Sequence, residues 1–176
     1  MPLIEIHQRR NDVKAELQVA ECLKQAFFRD DEPVFVRTER GRPMLVDAWN
    51  EVDCNWSHSG KLLAIVHSQH HRVGIDIELF TERDYRALAK RFLMEGEVEA
   101  IEDAFDFMQL WVRKEALLKG IGQGLAHGLK RVRFRKIDSQ WVLDFMEPSL
   151  GSQDDWAVQG IEMAPGYVGA VAWRPK

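Results

Sequence analysis

VGIDIEL, residues 73–79, is the stretch that decides how this chain folds. It is apolar and β-branched, the composition of a strand, yet it carries two carboxylates. Strand side chains alternate, so Asp76 and Glu78 leave one face while Val73, Ile75 and Ile77 leave the other. Aspartate and glutamate are poor strand formers, and two of them in such a run lower stability unless a cation or hydrogen-bond donors compensate the buried charge. A half-exposed strand with one wet face is the plainer account of the same alternation. The balance shifts with WVRKEALLKGIG, residues 111–122. There Trp111, Glu115 and Lys119 recur at i, i+4 and i+8 and share one helical face. Alone, that face reads as an exposed Glu–Lys pair supporting a helix by about 0.3–0.5 kcal/mol. Together, Asp76, Glu78 and Glu115 form a candidate set for one hard metal ion.

Working outward, LIEI near the start reads as a strand. Val13, Leu17, Ala20 and Phe27 trace an amphipathic helix from about Asn11 to Phe28, with Asn11 or Asp12 as its cap. Short strands follow near 34–37 and 44–46. The polar segment NWSHSG, 55–60, leads into the apolar run LLAIV, and SQHH, 68–71, joins that run to the Asp76 strand most simply as a hairpin. Helical patterns fill about Arg83 to Lys119 with an interruption near Gly96. Four strand-like runs close the chain, the last two being a hairpin of 156–162 with 167–173 across Ala164, Pro165 and Gly166. This is α+β order.

The chain has 176 residues, 45% hydrophobic and 30% charged, enough for a real core in one compact unit. No apolar stretch approaches the ~20 residues of a membrane span, and the first residues lack the pattern of a secretory signal, so a cytoplasmic protein without membrane contact is expected. Cys22 and Cys54 lie far apart and read as buried reduced thiols. A net charge of −4 argues against general nucleic-acid binding. One basic stripe stands out: Arg131, Arg133 and Arg135 share a face of a predicted strand, either as an ordinary wet face or as a docking surface for an acidic partner.

Three other signals carry less. Gly120, Gly122 and Gly124 follow a helix and fit no phosphate-loop spacing. His67, His70 and His71 have no cysteine nearby and sit where a turn is expected. The acidic run Glu95, Glu97, Glu99, Glu102 and Asp103 reads as the solvated side of a helix, with Glu97 the exception to watch.

The two motifs together resemble the 4′-phosphopantetheinyl transferase superfamily. It pairs a G-[IV]-D-[IVL]-E strand, here Gly74 to Glu78, with a W-x-x-K-E-A-x-x-K helix, here Trp111 to Lys119. R-F-L before Glu97 fits the spacing between them. GRP at Gly41 to Pro43 and NWSHSG at Asn55 to Gly60 resemble the Sfp-type branch, and the resemblance runs from about Gly41 to Leu125. The segment before Gly41 is short for that branch, Arg42 stands where lysine is usual, and Trp56 replaces an aliphatic residue.

The resemblance implies two similar α/β halves, 1–73 and 74–176, related by a pseudo-twofold axis, with coenzyme A in the cleft of a monomer. It implies Mg2+ held by Asp76, Glu78 and Glu115. Lys119 would meet the pyrophosphate, with Arg42, Ser57 and His58 on coenzyme phosphates, and Arg9, Arg10 and Arg37 as candidates for the 3′-phosphate and adenine end. Catalytic roles fall to Glu97 as proton acceptor, or Glu115 in its place, and to Lys119. Phosphopantetheine would pass to a serine of an apo acyl or peptidyl carrier protein, docked through Arg113 or the arginine stripe. Two other readings are a magnesium-dependent phosphohydrolase of a small phosphoanhydride and a non-catalytic module binding coenzyme A or carrier.

Overall fold

The computed structural model describes residues 1–81, 84–123 and 128–176. Its first elements are strand β1 (Leu3–Gln8), helix α1 (Ala15–Phe27), short strands β2 (Phe35–Arg37) and β3 (Pro43–Leu45), and long strands β4 (Asp53–Ser59) and β5 (Leu62–Ser68). Strand β6 (His71–Leu79) carries the decisive stretch, and helices α2 (Tyr85–Phe92), α3 (Glu95–Ala100) and α4 (Ala104–Ile121) follow. Strands β7 (Val132–Ile137), β8 (Gln140–Met146), β9 (Ala157–Ile161) and β10 (Tyr167–Pro175) finish the chain.

Two three-stranded antiparallel sheets run β1-β5-β4 and β6-β10-β9, each accompanied by a two-stranded ribbon, β2-β3 and β7-β8. Strand β5 is an unbroken apolar run because both its faces are covered. Leu63 and Ile65 pack with Val19, Cys22 and Leu23 of α1. Leu62, Ala64 and Val66 pack against Val73, Ile75 and Ile77 of β6. The third core surrounds α4, with Leu110, Leu117 and Leu118 fully buried.

Several expectations change. Lys14, not Asn11 or Asp12, occupies the N-cap of α1, and no side chain caps it. Arg83, the expected start of the helical region, lies outside the described residues, and α2 opens on Asp84, whose carboxylate accepts from Ala87 N at 3.1 Å. The polar segment NWSHSG is for the most part strand β4, paired with β5 from Asp53 to Ser59. SQHH turns the chain, but β5 and β6 do not pair; they belong to different sheets.

The neighbour of β6 is β4, and side chains make the join. Asp53 Oδ2 accepts from Val73 N at 2.7 Å, Asn55 Oδ1 from Ile75 N at 3.2 Å and Ser59 Oγ from Leu79 N at 2.9 Å. Each bond spans twenty residues, so the strands run in the same direction, and polar side chains satisfy backbone donors that a sheet ladder would otherwise take. The proposed division at residue 73 falls inside β6. No helix among the described residues is long and apolar enough to cross a membrane.

Candidate active site

The site begins with the closeness of α4 to β6. A Cβ on Gly74 would stand 2.2 Å from Ala116 O and 2.4 Å from Gly120 N, so the missing side chain lets the helix lie directly on the strand. Asp76 and Glu78, two and four residues along the same face, are thereby brought beneath the Trp111, Glu115 and Lys119 face of α4. Gly122, at φ +86°, ends the helix, its N–H donating to Leu118 O and Lys119 O. Gly120 and Gly122 thus serve packing and capping; Gly124 lies outside the described residues.

At the centre, Lys119 Nζ donates to Asp76 Oδ1 at 2.6 Å and to Ser57 Oγ at 3.0 Å. Ser57 Oγ in turn donates to Asp76 Oδ1 at 2.8 Å, and Ser59 Oγ to Glu78 Oε2 at 2.8 Å. The Asp76 Oδ2 atom is buried with no hydrogen-bond partner. Glu115 is buried too, and its carboxyl is pushed up to about 8, first by loss of water and then by the charge of Asp76, with Lys119 opposing. An excess of buried negative charge and an orphaned carboxylate oxygen suit a cation. No three His, Cys, Asp or Glu among the described residues converge into a ready cluster. Magnesium commonly uses one or two carboxylates with waters and phosphate, and Asp76 and Glu115 are the residues that could hold it here.

Two cavities flank the cluster, Lys119 lining one and Glu78 and Glu115 the other. One, of about 340 Å³, is basic and is lined by Arg37, Arg40, Arg42, Trp56, Lys119 and Gln123 among others. The other, of about 320 Å³, is apolar, with Leu88, Phe92, Phe107 and Trp111 in its walls and Glu78 and Glu115 at its edge. His58 lies outside, in strand β4, its pKa lowered by partial burial and by the charges of Arg9 and Lys119. The Arg9, His58 and Lys119 grouping therefore offers positive potential to an anion.

Not every expected residue is available. Arg42 is a strut: its guanidinium donates to Asp53, Pro43 O, Val73 O and Lys119 O, leaving it tied to the seam although it lines the basic cavity. Arg10 pairs with Glu21, and Arg37 with Glu16 and Gly41 O.

Glu97 requires a correction. Its side chain is fully buried away from Asp76, with Lys114 Nζ at 2.6 Å from Oε2 and both oxygens already accepting backbone N–H groups. A carboxylate so enclosed and so fully bonded is out of reach of a substrate hydroxyl. The arginine stripe is also partly spent: Arg131 lies in a 3-10 turn and pairs with Glu147, Arg133 pairs with Asp144, and Arg135 is the most open. His67 is no turn residue but is buried in β5, bonded to Glu5.

Sequence reasoning missed Asp53, Asn55 and Arg72. The first two were signalled by the period-two polar series Asp53, Asn55, Ser57, Ser59, which marks a strand face. Arg72, which donates to Gly120 O and Ile121 O at the end of α4, left no such signal.

A family model described as the 4′-phosphopantetheinyl transferase superfamily matches residues 72–166, more than half of the chain. The chain belongs to that superfamily. Among similar phosphopantetheinyl transferases is HetI of Nostoc sp., 32% identical over 152 residues, which are 78% of this chain and 61% of that protein. AcpT of Salmonella typhi is 35% identical over 97 residues, 51% of this chain and 50% of its own. The gsp protein of Aneurinibacillus migulanus is 31% identical over 134 residues, 72% of this chain and 51% of its own. The chain spans about half the length of the curated relatives it matches. The superfamily match contains Asp76, Glu78, Glu97, Glu115 and Lys119, whereas Arg42, Ser57 and His58 precede it.

Proposed function

We propose that the chain transfers 4′-phosphopantetheine from coenzyme A to a serine of an apo acyl or peptidyl carrier protein, with magnesium, leaving adenosine 3′,5′-bisphosphate. The observation that carries this reading is the Asp76, Glu115 and Lys119 cluster, in which Lys119 lines a basic cavity and Glu115 an apolar one. A pyrophosphate ester with a nucleotide at one end and an uncharged arm at the other has that polarity.

Asp76, Glu115 and Glu78 are the candidate metal ligands, and a bound magnesium ion would neutralise charge on the pyrophosphate. Lys119 leaves Asp76 for a pyrophosphate oxygen, guided by Ser57. Arg9 draws the phosphates of the nucleotide end toward the basic cavity, which Arg42 braces and Arg37 lines while paired with Glu16, and His58 offers them a hydrogen bond. The carrier serine Oγ forms a bond to the phosphorus nearer the pantetheine arm, the bond from that phosphorus to the bridging oxygen breaks, and Glu115 receives the hydroxyl proton. Leu88, Phe92, Phe107 and Trp111 exclude water from the acceptor side, and Arg135 is the open member of the stripe for an acidic carrier.

We further infer that the halves are repeats. The order strand, helical segment, ribbon, two strands appears twice, the helical segment being α1 in one half and α2, α3 and α4 in the other, and β1-β5-β4 has the connectivity of β6-β10-β9, which supports a pseudo-twofold relation. A cytoplasmic monomer is the working state proposed.

Intact-mass analysis of apo carrier proteins incubated with the chain, coenzyme A and magnesium tests the reading. A phosphopantetheine mass gain that disappears with chelator supports it. Release of phosphate without carrier modification points instead to a phosphohydrolase, and coenzyme binding without transfer points to a binding module.

A further inference from the structure

The most enclosed polar contact described outside the site is the ion pair of Glu97 and Lys114. Lys114 Nζ has three donors and three acceptors: Glu97 Oε2 at 2.6 Å, Leu129 O at 2.7 Å and Val132 O at 2.8 Å. Glu97 accepts in turn from Met94 N and Phe134 N, both at 2.9 Å. Neither side chain has any exposed surface. One side chain of α4 is thus bolted to the start of α3, to the turn before β7 and to β7 itself.

We propose that Glu97 and Lys114 are positioning residues, whose ion pair fixes the rotation and height of α4 and thereby places Glu115 opposite Asp76. Lys114 and Glu115 are consecutive, about 100° apart around the helix, so any roll of α4 that moves one moves the other. On its far side α4 rests on β6 at Gly74 and Gly120, and the side-chain bonds there, from Lys119 to Asp76 and Ser57 and from Arg72 to Gly120 O and Ile121 O, hold only its last turn. The three bonds of Lys114 restrain the opposite side of the helix, next to Glu115 itself, where the Lys119 contact is lost once that amine turns to a substrate. Stability alone does not account for the pair, because a buried ion pair is often no more stabilising than apolar residues of equal volume. Placement does account for it, since a displacement of about 1 Å at a reacting group costs on the order of 10²-fold in rate. The inference rests on the transfer reading only for the use made of Glu115.

The test compares wild type with E97Q, K114M and the double variant. Magnesium-dependent coenzyme A binding is followed by calorimetry, and the pH profile of single-turnover transfer is recorded. A positioning role predicts that both single variants weaken magnesium-dependent binding by about tenfold. It also predicts that the double variant is no worse than the poorer single, and that the acid limb of the pH profile keeps its midpoint. A proton acceptor would behave otherwise: E97Q would bind normally while losing the acid limb, K114M would shift that limb, and the proposal would fall. If E97Q does not fold, E97D keeps the charge at shorter reach and is expected to show weaker binding with an unmoved limb; normal binding in E97D overturns the inference. Wild type that binds coenzyme A with magnesium but modifies no carrier defeats the transfer reading alone, because the binding comparison still decides the positioning role.

Discussion

Asp76 divides its two oxygens: Oδ1 is shared by Lys119 and Ser57, and Oδ2 is buried without a partner. Replacing Asp76 with Ala removes the free oxygen, and calorimetry is expected to show magnesium-dependent coenzyme A binding weakened at least about tenfold. Glu115 gives a pH signature. Its carboxyl rises from 4.5 to about 8 on folding, so between those values the folded protein holds a proton the unfolded chain has released. Stability of the metal-free protein should therefore fall as pH rises through that window. Thermal unfolding across it checks this, with Glu115→Gln expected to flatten the slope and added magnesium to oppose it. Both carboxylates were legible in the sequence, because strand and helix periodicity fix their faces. The burial of Glu97 was not: its partner Lys114 lies seventeen residues away, and an acidic run of that kind looks like a wet helix face.

Helix α4 touching β6 is the element-level event that builds the site. Gly74→Ala forces a methyl group to within 2.2 Å of Ala116 O, so backbone must move. A loss of about 1–3 kcal/mol is expected from overpacking, visible by chemical denaturation, with a larger relative loss of transfer because α4 carries Glu115 and Lys119. Gly96→Ala is the contrasting case: its Cβ meets nothing within 4 Å inside α3, so a gain of about 0.5–1 kcal/mol with unchanged transfer is expected. Strands and helices with strong periodicity were readable in advance. NWSHSG was not, because its serines and asparagine look like loop residues when they in fact face a neighbouring strand. The hairpin expected between β5 and β6 failed for a related reason: adjacency in sequence favours pairing, but β6 joins β10 instead.

At the scale of the molecule, the two sheets meet through apolar packing of β5 on β6 and through the polar seam of β4 on β6, clamped by Arg42. Removing the guanidinium would leave Asp53 partly buried without its cation, and Arg42→Ala is expected to cost about 3 kcal/mol in urea denaturation. Arg42→Lys should recover little, since one ammonium group cannot span Asp53, Val73 O and Lys119 O. The α+β order was readable from the sequence, but the seam was not, because it depends on which strands meet rather than on what each strand contains.

The constant twenty-residue spacing across that seam also limits how the gene can change length. Asp53, Asn55 and Ser59 all reach their partners at one offset, so adding or deleting a single codon between positions 59 and 73 would put all three bonds out of step together. Indels there should be lost under selection.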